Sequence, residues 1–213
     1  MIKKTINRHS ARRFARIASV LLLLPLALPT AHGESLKFST VVIDAGHGGA
    51  DGGSVWSGLL EKKLCLDVAL RLERILASKG LRVVMTRRTD ATLELSERAQ
   101  IANRYRSAIF VSVHFNANRN RGISGIQTFY RSSRGQIIAR TVQRAMDRDL
   151  PGINRGIAYA NYKVLRETAM PAILVEAGFI SNRTEAARCG SANHRQKIAQ
   201  AIASGILAAR AHP

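Results

Sequence analysis

Two histidines and two glutamates in this chain have the side chains that metal-assisted hydrolysis requires. His47, His114 and Glu176 each follow a short apolar run typical of a buried strand. Glu61 stands where an apolar pattern of helical spacing begins. Two histidines and one carboxylate leave one position open on a tetrahedral zinc ion, which is the arrangement of catalytic zinc sites. The other carboxylate is then available as a general base.

These side chains need a scaffold that brings them together. The hydrophobic pattern predicts strands that alternate with amphipathic helices, which indicates an α/β fold whose sheet is covered on both faces. If the strands before His47, His114 and Glu176 are parallel, their carboxyl ends place all three residues at one rim of the sheet. The predicted strands are 38–43, 81–85, 108–113, 126–130, 162–166 and 172–175.

Taken singly, three of the four residues have simpler explanations. His47 could be a loop histidine in a turn, and His114 a hydrogen-bonded histidine at the end of a strand. Glu61 could be a first-turn carboxylate that the helix dipole favours. Glu176 is harder to explain in this way, because a carboxylate that closes a buried strand is costly without a metal ion or another partner.

The glycine-rich stretch around His47 does not match the common nucleotide-binding loops. Gly46 and Gly48 follow a predicted strand, but Asp51 stands where a dinucleotide-binding fingerprint has its third glycine. The Gly-Lys-Ser/Thr end of a phosphate-binding Walker loop is also missing there. Gly52 and Gly53 are better explained as residues that let the backbone turn past a metal site.

Several short motifs occur in a fixed order over residues 40–208. They are Val41–Gly49, Glu61-Lys62, Thr86-Arg87, Ser112–Asn116, Asn154–Gly156 and Leu174–Asn182. With these motifs in this order, the chain closely resembles the zinc-dependent N-acetylmuramoyl-L-alanine amidases of the AmiC/CwlV type.

The resemblance implies a fold, a cofactor and a reaction. The fold is a single domain with a mixed, mainly parallel six-stranded sheet and helices on both faces. His47, Glu61 and His114 are implied as the ligands of one zinc ion per chain, and Glu176 as the catalytic carboxylate. The implied substrate is peptidoglycan, in which the enzyme hydrolyses the amide between the lactyl group of N-acetylmuramic acid and the L-alanine of the stem peptide.

Two further roles and the question of an activator follow less directly. Asn116 is a candidate for contact with substrate, and Asp44 for orienting a metal ligand, although Asp44 could instead only cap the loop. Some family members carry a long insertion with an autoinhibitory helix. Here only Arg131–Gly135 separates a predicted strand from the next helix. We therefore expect activity that does not require an activator protein. A monomer is also expected.

The amino-terminal segment 1–33 is predicted to be an export signal. It has six basic and no acidic residues, an apolar run at 17–29, and small residues near Ala31–Gly33. The alternative is a membrane anchor, but 13 residues with two prolines fall short of the roughly 20 needed to span a bilayer. We expect cleavage, no remaining membrane anchor, a catalytic domain over 34–213, and a periplasmic or envelope location. Export through the Sec or the twin-arginine route remains open.

The formal charge of +19 suggests an anionic partner, and +13 remains after loss of residues 1–33. Nucleic acid is not expected, because aromatic residues make up only 5% and no RNA-binding or helix-turn-helix signature occurs. A catalytically inactive wall-binding relative is the other alternative, and the presence of all four candidate residues opposes it. Cys65 and Cys189 are interpreted as small buried residues, with a disulfide between them left open.

Overall fold

A computed structural model describes residues 36–210, so the predicted signal segment 1–33 lies outside the described residues. None of the helices between residues 36 and 210 is both long and apolar enough to cross a membrane. The strands are β1 Thr40–Ala45, β2 Val55–Trp56, β3 Leu59–Leu60, β4 Arg82–Met85, β5 Ala108–Asn116, β6 Ile126–Tyr130, β7 Asn154–Tyr159 and β8 Ala172–Phe179. The helices are α1 Glu61–Ser78, α2 Leu95–Asn103, α3 Ser133–Asp149, α4 Lys163–Glu167, α5 Arg183–Gly190 and α6 Ala192–Ala209.

Six of the strands form one sheet in the order β4-β1-β5-β8-β6-β7. Strands β4, β1, β5 and β8 run parallel to one another. Strand β6 is antiparallel to β8, and β7 is parallel to β6. The predicted mixed, mainly parallel six-stranded sheet is therefore confirmed. Strands β2 and β3 form a separate short hairpin.

Both faces of the sheet are buried, which explains why its central strands are almost continuously apolar. Val41 and Ile43 of β1 pack in the larger core cluster, to which α1, α3 and α6 contribute. Val42, which lies between them, packs in a second cluster with residues from α2 and α4. Alternate residues of one strand thus reach opposite layers, and the prediction of helices on both faces is confirmed.

The predicted strand at 162–166 is wrong, because this segment enters helix α4. Val164 and Leu165 are adjacent and both lie in the second core cluster, whereas a strand would direct them to opposite faces of a sheet. The sixth strand is instead β7, at the edge of the sheet. Its polar start at Asn154 and Arg155 is exposed, so it lacks the hydrophobic alternation by which strands are recognised.

Strands β5 and β8 are longer than the apolar runs that predict them. His114 and Asn116 lie within β5, and Glu176 lies within β8. The register places His114 directly opposite Glu176, and it shifts between His114 and Asn116. Because β1, β5 and β8 are parallel neighbours, their carboxyl ends bring the loop with His47 to the same rim.

Helices α3 and α6 approach closely where α6 carries a glycine. A Cβ atom added at Gly205 would lie 2.3 Å from the Cα of Val142 and 2.8 Å from the carbonyl oxygen of Thr141. Both of these neighbours are backbone atoms, which cannot turn away as a flexible side chain can. The side-chain-free surface of Gly205 therefore sets the distance between the two helices.

Gly205→Ala should destabilise the protein by about 1–3 kcal/mol, because overpacking outweighs the better helix propensity of alanine. Urea unfolding measures the difference. Gly190→Ala is the matched control, since its Cβ would meet only Leu59 Cδ2 at 3.5 Å. A Gly205→Ala variant as stable as the Gly190→Ala control would contradict this account of the helix contact.

Candidate metal centre

Three of the predicted site residues converge at the carboxyl ends of β1 and β5. His47 Nε2 lies 3.0 Å from Glu61 Oε1, and His114 Nδ1 lies 3.1 Å from the same oxygen. The two imidazole rings meet edge to face with their centroids 4.8 Å apart. Within residues 36–210 this is the one group of histidine, cysteine or acidic side chains whose geometry could hold a metal ion.

His47 stands on a backbone that few residues adopt. Its φ is +58°, in the left-handed region, where a non-glycine residue is uncommon. Arg98 holds this conformation by donating hydrogen bonds to the carbonyl oxygens of His47 at 2.7 Å and Ala45 at 2.8 Å. Arg87 donates to the carbonyls of Ala45 at 2.9 Å and Gly46 at 2.6 Å. Two buried guanidinium groups thus fix the loop that presents His47.

Asp51 orients the ring of His47. The His47 Nδ1–H donates a hydrogen bond of 2.8 Å to Asp51 Oδ2, while Nε2 is directed at Glu61. Burial lowers the pKa of His47, but Glu61 and Asp51 outweigh it and raise the pKa above its usual value. Sequence analysis missed Asp51 as a site residue, although its spacing of four from His47 was a usable signal.

The hairpin β2–β3 delivers Glu61 to the centre. Its turn, Ser57-Gly58, has positive φ at both residues, and β3 leads directly into α1, which begins at Glu61. Backbone N–H groups then fix the carboxylate: Ser54 donates to Oε2 at 2.9 Å and Phe115 to Oε1 at 3.2 Å. Burial raises the pKa of Glu61, yet the two imidazoles prevail and hold it far below its usual range.

The donor atoms fit a tetrahedral zinc ion. Zinc–ligand bonds of about 2.0–2.1 Å place neighbouring ligand atoms about 3.3 Å apart. The observed separations from Glu61 Oε1 are 3.0 and 3.1 Å, and the three donor atoms all lie within 4.8 Å of one another. The close approach of His47 Nε2 to the Glu61 carboxylate requires a cation at this point, which is either a proton on the imidazole or a metal ion.

Two glycines leave the space that the three side chains occupy. A Cβ atom at Gly46 would lie 2.4–2.7 Å from three atoms of the His114 ring. At Gly53, where φ is +64°, it would lie 2.7 Å from His47 Cδ2 and 2.8 Å from Glu61 Oε2. These glycines are therefore required by close approach of the donor side chains, as well as by backbone turning at Gly53.

Glu176 lies beside this group and lacks the partners that a buried carboxylate needs. Its Oε2 is buried and has no hydrogen-bond partner within the described part of the chain. Burial raises the pKa of Glu176 to about 7, and the charge of Glu61 adds to the rise, whereas the two histidines oppose it. Such a carboxyl group can take up and release a proton near neutral pH, as a general base must.

Asp44 acts on the backbone beneath the site and makes no contact with a metal-donor side chain among its hydrogen bonds. Its Oδ1 accepts from Thr86 Oγ1 at 2.7 Å and from Arg98 at 2.9 Å, and its Oδ2 accepts from Ser112 Oγ at 2.6 Å. Because the same Arg98 holds the carbonyl of His47, Asp44 is linked to His47 through one guanidinium group.

A cleft of about 380 Å³ opens beside the four residues. Asn116 lines it, while its Oδ1 accepts a hydrogen bond of 2.8 Å from the N–H of Ala117. Tyr162 and Lys163 also line the cleft and were not predicted. The wrong strand at 162–166 hid them, because as a strand this segment had no reason to lie over the rim.

Two other predictions can be compared with the structure. Cys65 and Cys189 are both free and buried, as expected of small core residues. Strand β6 ends at Tyr130 and α3 begins at Ser133, so the loop between them is short and contains no autoinhibitory helix. Ser132 caps α3 by accepting a hydrogen bond from the N–H of Gly135.

Comparison with known proteins agrees with this geometry. A family model described as N-acetylmuramoyl-L-alanine amidase matches residues 41–208. The catalytic domain of CwlV from Bacillus (Paenibacillus) polymyxa var. colistinus is 38% identical, with a TM-score of 0.77 over 79% of this chain and 96% of that one. AmiC2 of Nostoc punctiforme is also 38% identical, with a TM-score of 0.77 over 81% of this chain and 97% of that one.

Some relatives are much longer than this domain. LytC of Bacillus subtilis (strain 168), an N-acetylmuramoyl-L-alanine amidase, is 34% identical over 79% of this chain but only 35% of its own length. The residues that the family model matches, 41–208, include the sheet and the candidate centre. The resemblance predicted from the motifs is therefore confirmed: the chain belongs to the N-acetylmuramoyl-L-alanine amidase family of peptidoglycan hydrolases.

Proposed function

We propose that this chain hydrolyses the amide between N-acetylmuramic acid and the L-alanine of the stem peptide, using one zinc ion held by His47, Glu61 and His114. One observation carries the proposal. Three donor atoms converge in a cleft beside a buried carboxylate oxygen of Glu176 that has no partner among the described residues. Three protein ligands leave a fourth position for water or substrate, as catalytic zinc sites do.

The chemistry divides between the cofactor and Glu176. When bound at such a site, zinc supplies Lewis acidity that polarises a carbonyl group and activates water as a nucleophile. Glu176 takes a proton from the attacking water at a carboxylate oxygen. It then returns that proton to the alanine nitrogen, so that the amide bond breaks and the stem peptide leaves as a free amine.

Other residues hold this machinery or meet the substrate. Asp51 sets the tautomer of His47, and Asp44 acts on the loop through Arg98. Asn116 and Lys163 line the cleft and are placed to contact the stem peptide or the glycan. A second function as an inactive wall-binding protein has less support, because it gives no role to the strained His47 or to the buried Oε2 atom of Glu176.

We further propose that the protein acts outside the cytoplasm as a monomer, after removal of a signal near Ala31–Gly33. The support is the basic and apolar pattern of residues 1–33 and the location of peptidoglycan. Activity without an activator is supported by the short loop between β6 and α3, which contains no inserted helix.

Digestion of purified peptidoglycan tests the reaction. The chain isolated from the envelope, loaded with zinc and given no other protein, should release stem peptides that begin with L-alanine. Mass spectrometry of the soluble products identifies that amine terminus. Cleavage elsewhere, in the glycan or between stem residues, would refute the proposed bond. Release only after a second protein is added would refute independence from an activator.

Paired substitutions separate the two carboxylates. Glu176→Gln keeps the shape but cannot accept a proton, so it should retain zinc and lose roughly a hundredfold or more in turnover. Glu61→Ala leaves two protein ligands and should lose zinc affinity as well as activity. Zinc content by atomic absorption and product release measure the two effects.

Glu167→Gln is the control for these variants, since Glu167 ends α4 and pairs only with Arg166 at 3.7 Å. It should match the wild-type protein in zinc content and turnover. A Glu176→Gln variant that loses zinc, or that stays fully active, would show that Glu176 is not the base.

Asp51→Asn should weaken zinc binding by roughly 10–100-fold, because the His47 Nδ1–H loses its carboxylate acceptor. Competition with a chromogenic chelator measures the affinity. Asp149→Asn is the control, as Asp149 is bonded to Arg148 at the far end of α3. Equal zinc affinities in the two variants would contradict the orienting role of Asp51.

A further inference from the structure

Positively charged side chains are concentrated at the end of the sheet opposite the candidate metal centre, where the central parallel strands begin. Two adjoining grooves of about 740 and 220 Å³ lie where β5 and β8 begin, and both are lined by Arg134 and Met170. No carboxylate of the described residues lines either groove. We call this surface the basic edge; its cations are Lys37, Arg104, Arg106, Arg131, Arg134 and Arg166.

Most of these charges are not neutralised by the protein. Lys37, Arg104, Arg106 and Arg134 are exposed, and their side chains make no ion pair or hydrogen bond with other residues of the described range. Arg166 has the nearby carboxylate of Glu167 at 3.7 Å. Like charges held close together raise the local potential and attract a polyanion.

The basic edge also contains apolar groups between its cations. Tyr105 and Met170 are half-buried in the larger groove, and the guanidinium of Arg82 lies 5.0 Å from the centre of the Tyr105 ring. Cations interspersed with an aromatic ring and a flexible thioether suit the boundary between lipid headgroups and acyl chains. A polyanion that presents only phosphates has no apolar group to contact Tyr105 and Met170.

The chain enters the domain at this same edge. Leu36, the first described residue, donates its N–H to the carbonyl of Ala209 at 2.8 Å, and it lies next to Lys37. In the sequence, six residues separate Leu36 from the apolar run 17–29. The part of the chain that precedes Leu36 therefore joins the described domain at the basic edge.

We propose that the basic edge binds the surface of an anionic lipid bilayer. The candidate cleft opens at the other edge of the sheet, so a protein held in this way presents its cleft away from the lipid. The benefit of that orientation, a cleft directed at the cell wall, rests on the proposed function, whereas lipid binding itself does not. Nucleic acid would offer the same phosphates, and it is a competing outcome of the test.

Vesicle sedimentation tests the proposal with chain isolated from the envelope, in variants shown by intact mass to share one amino terminus. Wild-type protein should bind vesicles that contain phosphatidylglycerol and not those of phosphatidylcholine alone. Arg104→Gln, Arg106→Gln and Arg134→Gln combined should lower the partition coefficient roughly a hundredfold, at about fivefold per charge. Circular dichroism should show unchanged thermal unfolding, because these side chains make no bonds to lose.

The control combines Arg119→Gln, Arg140→Gln and Arg144→Gln, which removes the same charge from exposed positions away from the basic edge. It should reduce binding by no more than about threefold. An equal loss of vesicle binding in both triple variants would show that binding depends only on net charge and would overturn the proposal. So would absence of vesicle binding, or tighter binding to duplex DNA than to anionic vesicles at equal salt.

Release of stem peptides from soluble peptidoglycan fragments keeps this test separate from the proposed function. The basic-edge variant should release them at the wild-type rate, because none of its substitutions lies in the cleft. Lipid binding without amidase activity would leave the basic edge established and refute the enzyme mechanism. Amidase activity without lipid binding would support the enzyme mechanism and refute lipid binding by the basic edge.

Discussion

The buried ion pair between Asp44 and Arg98 fixes the backbone on which the candidate centre is built. Asp44 is also held by Thr86 and Ser112, so its carboxylate has a partner for each oxygen inside the core. Arg98 also donates to the carbonyls of Ala45, His47 and Leu93. Removing one partner of such a pair leaves an uncompensated buried charge. The left-handed conformation of His47 depends on this arrangement, and with it the direction of the imidazole.

Parallel pairing of the central strands explains why the Glu176 carboxylate lies beside the metal centre without being one of its ligands. His114 and Glu176 stand opposite each other on β5 and β8, while Glu61 follows directly after the β2–β3 hairpin. Glu61 is satisfied by two backbone N–H groups and two imidazoles, whereas Glu176 Oε2 has no partner in the described range. The two glutamates thus differ in environment, which shifts their pKa values in opposite directions.

Strand periodicity predicted the sheet and the rim because β1, β5 and β8 are buried on both faces. It failed at β7, an exposed edge strand with a polar start, and at α4, where Val164 and Leu165 are too few for a helical period to be recognised. Asp51 was missed although it lies four residues after His47, because the backbone turn that brings the two side chains together is not predicted by hydrophobic periodicity. The contribution of Tyr162 to the cleft likewise depends on packing between α4 and the sheet.

Anomalous X-ray scattering at the zinc edge, from crystals of the protein grown with zinc, tests the central claim most directly. The account predicts one peak per chain, at about 2.0–2.2 Å from His47 Nε2, His114 Nδ1 and Glu61 Oε1, with Glu176 outside bonding distance. A peak bonded to Glu176 in place of Glu61 would reverse the roles of the two carboxylates. The absence of any peak between the two histidines would contradict the metal centre itself.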